Sequence, residues 1–354
     1  MFKKILYGLL ALVLILVGYL ALWPAPIDPV AWIPPEAPKL EGILAPNTLL
    51  NQSEVLGEGK VKGPEDVAVD SAGRIYSGSA DGRITRILHD GQVETFANTG
   101  GRPLGLHFDA QGNLIVADAK KGLLSVSTSG EVTTLVAGYQ GKNFVFADDL
   151  DIGPDGIIYF SDASDTYPIE VFLLDLLEAR PHGRLYSYNP ATRETRMLLD
   201  GLYFANGIAV SSRGDFVLVN ETGRYQITRY WLKGPQAGSH DIFIENLPGF
   251  PDGISSNRRG TFWLALASPR KADVDQLHTN PFMKKVVTKL PDSMKPAATM
   301  YGFVLALDEQ GNILRSYQDP SGKNVAEVTS VEEHGGYIYL GNLTHDRFWR
   351  LKLD

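Results

Sequence analysis

The sequence predicts an all-β protein, a six-bladed β-propeller carried on an N-terminal transmembrane helix. Two observations predict it. An uncharged apolar run opens the chain, and after a proline-rich stretch one β-hairpin pattern recurs six times with its glycine at a near-constant offset. Composition agrees. At 354 residues the chain exceeds the ~250–300 at which a single core stops growing, so either the fold is modular or a segment lies outside it. Thirty-six glycines and 21 prolines suit many turns better than long helices. The absence of cysteine excludes disulfides, a thiol nucleophile and cysteine-ligated metals, and a net charge of −8 without a basic stripe excludes nucleic acid as the main partner.

Residues 1–23 hold the anchor. Lys3 and Lys4 precede ILYGLLALVLILVGYLALW, 19 residues from Ile5 to Trp23, which as a helix span roughly 28 Å against a hydrocarbon core of ~30 Å. A cleaved signal peptide is the alternative. It calls for an apolar core of about 7–15 residues and an Ala-x-Ala-like site, whereas this run is longer and ends in Leu22-Trp23-Pro24. Lysines before the span and Asp28 and Glu36 after it place the N-terminus in the cytoplasm and the rest in the periplasm, the lumen or outside the cell. Residues 24–47 carry seven prolines and read as a semi-rigid spacer.

Residues 48–354 hold the repeats, which begin GPEDVAVDSAGRIYSGS, GRPLGLHFDAQGNLIVAD, FADDLDIGPDGIIYFSD, FANGIAVSSRGDFVLVN, FPDGISSNRRGTFWLAL and VTSVEEHGGYIYLGN. Their third residue, or the fourth in the second and the second in the last, is Glu65, Leu104, Asp148, Asn206, Asp252 and Thr329. A turn glycine follows eight residues later in the first five and seven later in the sixth. A second strand pair follows in most units, giving four strands per blade. The sixth unit runs out of chain, so a strand from about 48–58 should complete it. Two units are stretched, at about 166–183 and 269–296, by apolar, helix-compatible segments that read as lids over the channel mouth, with surface packing as the alternative. Lys284, Lys285, Lys289 and Lys295 beside Phe282, Met283, Val286 and Val287 also have the make-up of a membrane-surface segment, or of a solvated charged face.

Pseudo-symmetry sets equivalent residues of all blades at one radius. Glu65, Asp148, Asn206 and Asp252 then converge at one mouth of the channel, where crowded carboxylates need protons or a cation among them. With oxygen donors alone, Ca²⁺ is the ion favoured. Single Asp or Asn residues also cap turns, but here four stand in register. His107, three residues past Leu104, shares a tier with Asp151 and Glu332, as a proton shuttle or as a structural histidine. His334 reads as structural, Asp118 and Asp162 as turn braces, and Arg102 as a substrate anchor or an inter-blade ion pair. Asn51, Asn220 and Asn342 each start an N-glycosylation pattern. No Gly-x-Ser-x-Gly elbow or phosphate-cradling loop occurs.

The segments GRPLG, FADDL, GRLYSY, LLDGLYFANGIAVS, ENLPGFPDGI and EEHGGYIYLGN resemble the strictosidine synthase-like family from about residue 50 onward, most of all its adipocyte plasma membrane-associated protein branch, which shares the anchor. The resemblance implies a six-bladed propeller related to gluconolactonases, regucalcin and paraoxonases, with calcium in the channel. Glu65, Asn206 and Asp252 align with the family's calcium ligands, and Asp148 stands where relatives usually carry Asn. Thr329 replaces the catalytic glutamate of true strictosidine synthases, so alkaloid condensation is not expected. Leu104 replaces a paraoxonase histidine. In gluconolactonase-like relatives the residue matching Asp252 contacts the metal and is proposed as the base. The expectation is a membrane-anchored, calcium-dependent hydrolase of small-molecule esters or lactones, with Asp252 as base and His107 assisting. The other reading is a non-catalytic, calcium-stabilised propeller that binds a ligand or a protein.

Overall fold

The computed structural model describes residues 2–353, and Met1 and Asp354 lie outside it. Its strands form six four-stranded antiparallel sheets, each running in sequence order from the channel outward, with a small extra hairpin at Gly138–Tyr139 and Lys142–Asn143. Blades 1 to 5 span 67–98, 103–136, 147–202, 205–244 and 249–319. Blade 6 takes three strands from 328–352 and its outermost strand from Glu54–Leu56, which pairs Val55 with Trp349. The closing strand thus lies inside the expected stretch, preceded by a 3-10 turn at Leu49–Gln52.

The core is divided among the six gaps between neighbouring blades. Phe216 and Leu218 of blade 4 meet Phe262 and Leu264 of blade 5, for example, and Trp263 and Val304 of blade 5 meet Ile338 and Trp349 of blade 6. Alternation with period two gives every strand two apolar faces to bury, and only a neighbouring blade can cover them. All six repeat glycines, Gly73, Gly112, Gly156, Gly214, Gly260 and Gly336, have positive φ, the conformation these tight turns require.

Helix α1 (Phe2–Leu22) has mean hydropathy 2.7 and buries none of its residues, so by length and composition it can cross a membrane. The stretched units form α2 (Leu173–Glu178), α3 (Ala272–His278) and α4 (Pro281–Thr288), with the Asn280 side chain capping α4 at the amide of Met283. The proline-rich segment differs from the expected spacer, being fastened along the propeller. Val30 N–H bonds to Glu178 O and Trp32 N–H to His278 O, while Arg270 and Asn246 donate to the carbonyls of Pro35 and Glu36. Extended proline-rich backbone satisfies none of its own polar groups, so its free carbonyls and amides are available to partners on the surface it crosses.

Candidate metal centre

The inner strands of blades 2 to 6 each carry a register shift, between Pro103 and Leu106, Ala147 and Leu150, Ala205 and Ile208, Pro251 and Ile254, and Val328 and Val331. Each shift contains the repeat's key residue and the one after it. A β-bulge bends its strand and re-aims a side chain, and five bulges in register turn a row of strand residues into a ring. In blade 1, Glu65 and Asp66 stand just before the inner strand at Val67–Val69.

The ring is acidic and largely buried. Glu65, Asp148 and Asn206 are buried and Asp252 is half-buried. Burial, then the charges of Asp148 and Asp252, hold the Glu65 carboxyl well above the usual range. Burial and the Asp252 charge do the same to Asp148. Asp252 is pushed up to about 7 by burial, although a hydrogen bond from Asn206 favours its ionised form. One step deeper, burial lifts Asp66 to about 6 and raises Asp149 well above its usual value. These two brace neighbouring blades, Asp66 accepting from Leu106 N–H at 2.8 Å and Asp149 from Ile208 N–H at 2.7 Å.

The sixth key residue has another task. Thr329 Oγ1 donates to Glu65 O at 2.7 Å, tying blade 6 to blade 1. Leu104 at the second packs with Phe146 and Phe204, and Ile169, Phe172 and Leu176 of the first insertion lie over them. Both insertions leave their blades at this end, because Asp162 pairs with Ala147 beside Asp148 and Pro269 pairs with Gly249 near Asp252. The two insertions, the expected lids, therefore sit on the ring side of the channel.

His107 stands on the other side. Its Nε2 is 3.7 Å from Asp151 Oδ1, and both line a cavity of about 30 Å³, with room for a water or two, together with Glu65, Asp149, Ser255 and Glu332. The ring and His107 are separated by three strand residues, roughly 7–10 Å. The tier read from the repeat is present, but it lies beneath the ring, away from the lids. Burial lowers the His107 pKa despite Asp151. Arg258 holds the tier's floor, donating to Asp151, to Val210 O at 2.6 Å and to Ile152 O at 2.9 Å.

Asp118 and Asp162 brace the chain entering their own blades, at Arg102 N–H (2.9 Å) and Phe146 N–H (2.7 Å). Among the described residues Arg102 makes no inter-blade ion pair. It is buried beside Glu65, Asp118 and Asp148, with Nη1 unpartnered. Asn220 occupies the place of Asp118 and Asp162 in blade 4, and its amide donates to Asp252 O at 2.5 Å. That repeat position is the signal that marks it as a positioning residue for Asp252. Asn220 and Asn342 are fully buried, so of the three sequons only Asn51 is exposed.

The ring offers oxygen donors alone, the kind a hard divalent cation takes. Among the described residues, no three acidic or histidine side chains are gathered as closely as metal ligands are.

The strictosidine synthase family model matches residues 148–235, beginning at Asp148 of the ring, and the strictosidine synthase-like N-terminal model matches residues 42–87. The adipocyte plasma membrane-associated protein of Bos taurus is 38% identical over 96% of this chain and 87% of its own length. Strictosidine synthase-like 6 of Arabidopsis thaliana is 36% identical over 86% of this chain and 82% of its own. Solved structures similar in fold include a gluconolactonase from Xanthomonas campestris (TM-score 0.63, 18% identity, 94% of this chain and 99% of that one) and the calcium-binding protein regucalcin from Agrobacterium tumefaciens (TM-score 0.57, 16% identity, 86% and 92%). With its ring, blades and anchor accounted for, the chain belongs to the strictosidine synthase-like family, in the branch of the adipocyte plasma membrane-associated proteins.

Proposed function

We propose that the protein is a membrane-anchored, calcium-dependent hydrolase of esters or lactones, its propeller on the extracytoplasmic side of the membrane. The observation that carries this reading is the buried ring of oxygen donors, in which Asp252 takes a hydrogen bond from Asn206. A carboxylate kept ionised accepts a proton from an attacking water and can release it again. Asn206 favours the ionised form of Asp252, and Asn220 fixes its backbone. Calcium bound to these oxygens would polarise the substrate carbonyl and offset the charge that develops on it. Arg102, its Nη1 unpartnered, supplies a cation to anionic parts of a substrate. His107 and Asp151 would relay the proton toward the channel end away from the lids.

The second reading, a calcium-stabilised binding module, is favoured by the apolar cover of Leu104, Phe146 and Phe204 beneath the first lid. One experiment separates the two. The full chain in detergent is assayed on aryl acetates and on γ- and δ-lactones, with Ca²⁺ or with chelator, and melted in parallel. Calcium-dependent turnover is expected, reduced by about 10²-fold or more in Asp252→Asn with melting largely retained. A melting temperature raised by Ca²⁺ without turnover on either substrate class would move the assignment to the binding module. No effect of Ca²⁺ on either would overturn the metal ring.

A further inference from the structure

We propose that the outer face of the two lids is a second membrane contact, seated in the headgroup layer of the bilayer that α1 enters. The exposed large apolar side chains of the insertions make the case. Val171 and Leu173 stand out from the first, and Phe282 (54% exposed), Met283, Met294 (64%) and Met300 from the second and its return to blade 5. Elsewhere on the blades such residues stand singly, as Met197, Ile242 and Leu314 do on the outermost strands of blades 3, 4 and 5. Large apolar patches on a surface mark something that covers them.

Helix α4 is turned against the rule for a water-facing helix. Phe282 and Met283 point outward, while Lys284 is fully buried, its ammonium donating to Val30 O at 2.8 Å. Burial lowers the Lys284 pKa to about 8. A lysine inside and a phenylalanine outside cost free energy on both counts in water. Against lipid the outward pair becomes favourable.

Contacts of the anchor name the occupant. Lys289, directly after α4, donates from Nζ to Leu20 O in the last turn of α1 at 2.8 Å. Asp28, six residues past the end of α1, pairs with Arg180 after α2 at 2.7 Å and lies 3.7 Å from Lys285 Nζ on α4. Tyr19 and Trp23, ring centroids 6.0 Å apart, end the helix with the aromatic pair typical of a membrane interface. The bilayer surface met by α1 is therefore continuous with the lids. Since the acidic ring lies at the lid end, a molecule reaching it between the lids comes from the lipid side.

The chain has no cysteine, so single labels need no background removal. The full chain carrying a nitroxide at Met283→Cys, Met294→Cys, Leu12→Cys or Met197→Cys is reconstituted in phosphatidylcholine–phosphatidylglycerol vesicles. Collision with oxygen is compared with collision with a water-soluble nickel chelate. The expected oxygen-to-nickel ratio at 283 and 294 is several-fold above that at 197 and below that at 12, which lies at the middle of the span. Sites 283 and 294 matching 197, with 12 in lipid, would overturn the lid contact. Shielding of 283 and 294 from both reagents would overturn it in favour of a protein partner. An aqueous signal at 12 would overturn both the anchor and the lid contact.

Discussion

Asp149, at the second bulge position of blade 3, and Asp66, at the matching position before the inner strand of blade 1, reach across to an amide of a neighbouring blade, whereas blades 2, 4 and 5 carry glycine there. The reason is distance. A Cβ on Gly253 would lie 2.5 Å from Thr329 O, and one on Gly207 2.4 Å from Asp252 O. Both obstacles are backbone, which cannot swing aside as a side chain can. Gly253→Ala should therefore cost about 2–3 kcal/mol by overpacking, read as a lower melting temperature of the full chain in detergent, while Gly260→Ala is strained only by its φ of +94°. Equal losses from the two would show that backbone crowding at the ring is not the cause. The key residues were legible in the sequence because their offset to the turn glycine is constant. Their bulges were not, since a bulge is defined by the partner strand's register and adds no residue type of its own. His107 shows the limit of the same reasoning, because the repeat gives its tier but not which end of the channel the lids cover.

At the scale of elements, the two insertions were legible as interruptions of strand alternation, whereas the fastening of the proline-rich segment was not, for a physical reason. Proline content reports backbone stiffness, whereas docking depends on donors elsewhere, such as Arg270, Asn246 and Lys284, that accept no pattern in the strap itself. One clamp joins strap to lid. Glu178 accepts from Asp28 N–H at 2.5 Å through its side chain and from Val30 N–H through its carbonyl, and His182 sits 3.0 Å from Asp175 and 3.6 Å from Glu178. The hydrogen bond to Asp175 raises the His182 pKa above its ordinary value of ~6.5. A raised folded-state pKa stabilises fully below ~6.5 and is lost as pH climbs through the folded value above it. Amide exchange of residues 28–30 and α2, corrected for the intrinsic rate, is expected to quicken as pH rises through that window. His182→Gln should show faster exchange at low pH and no such step. A step of the same size in the variant would remove His182 from the clamp.

Across the whole molecule, no blade owns its core. Each apolar cluster between blades is shared by two neighbours, and the ring is closed by three residue pairs, Glu54 with Arg350, Val55 with Trp349 and Leu56 with Phe348, together with Thr329 on Glu65 O. A solenoid with free ends can fray one repeat at a time, because losing the end repeat breaks one interface. In a closed ring any blade that unfolds strips two neighbours of their cover, so the first opening carries the cost of both interfaces. The propeller should therefore melt as one unit even though it is built from six repeats and exceeds the usual size of a single core. Trp349, almost fully buried between blades 5 and 6 and paired with the closing strand, is the place to test it. Trp349→Ala removes about 3–5 kcal/mol of packing, and spread over the unfolding entropy of some 300 residues this should lower the melting temperature by roughly 5–8 °C. Calorimetry of the full chain in detergent should show one transition in both proteins, displaced as a whole in the variant. A variant whose trace splits, with blade 6 melting early and the remainder at the original temperature, would mean that the closing strand latches a ring whose blades are stable apart.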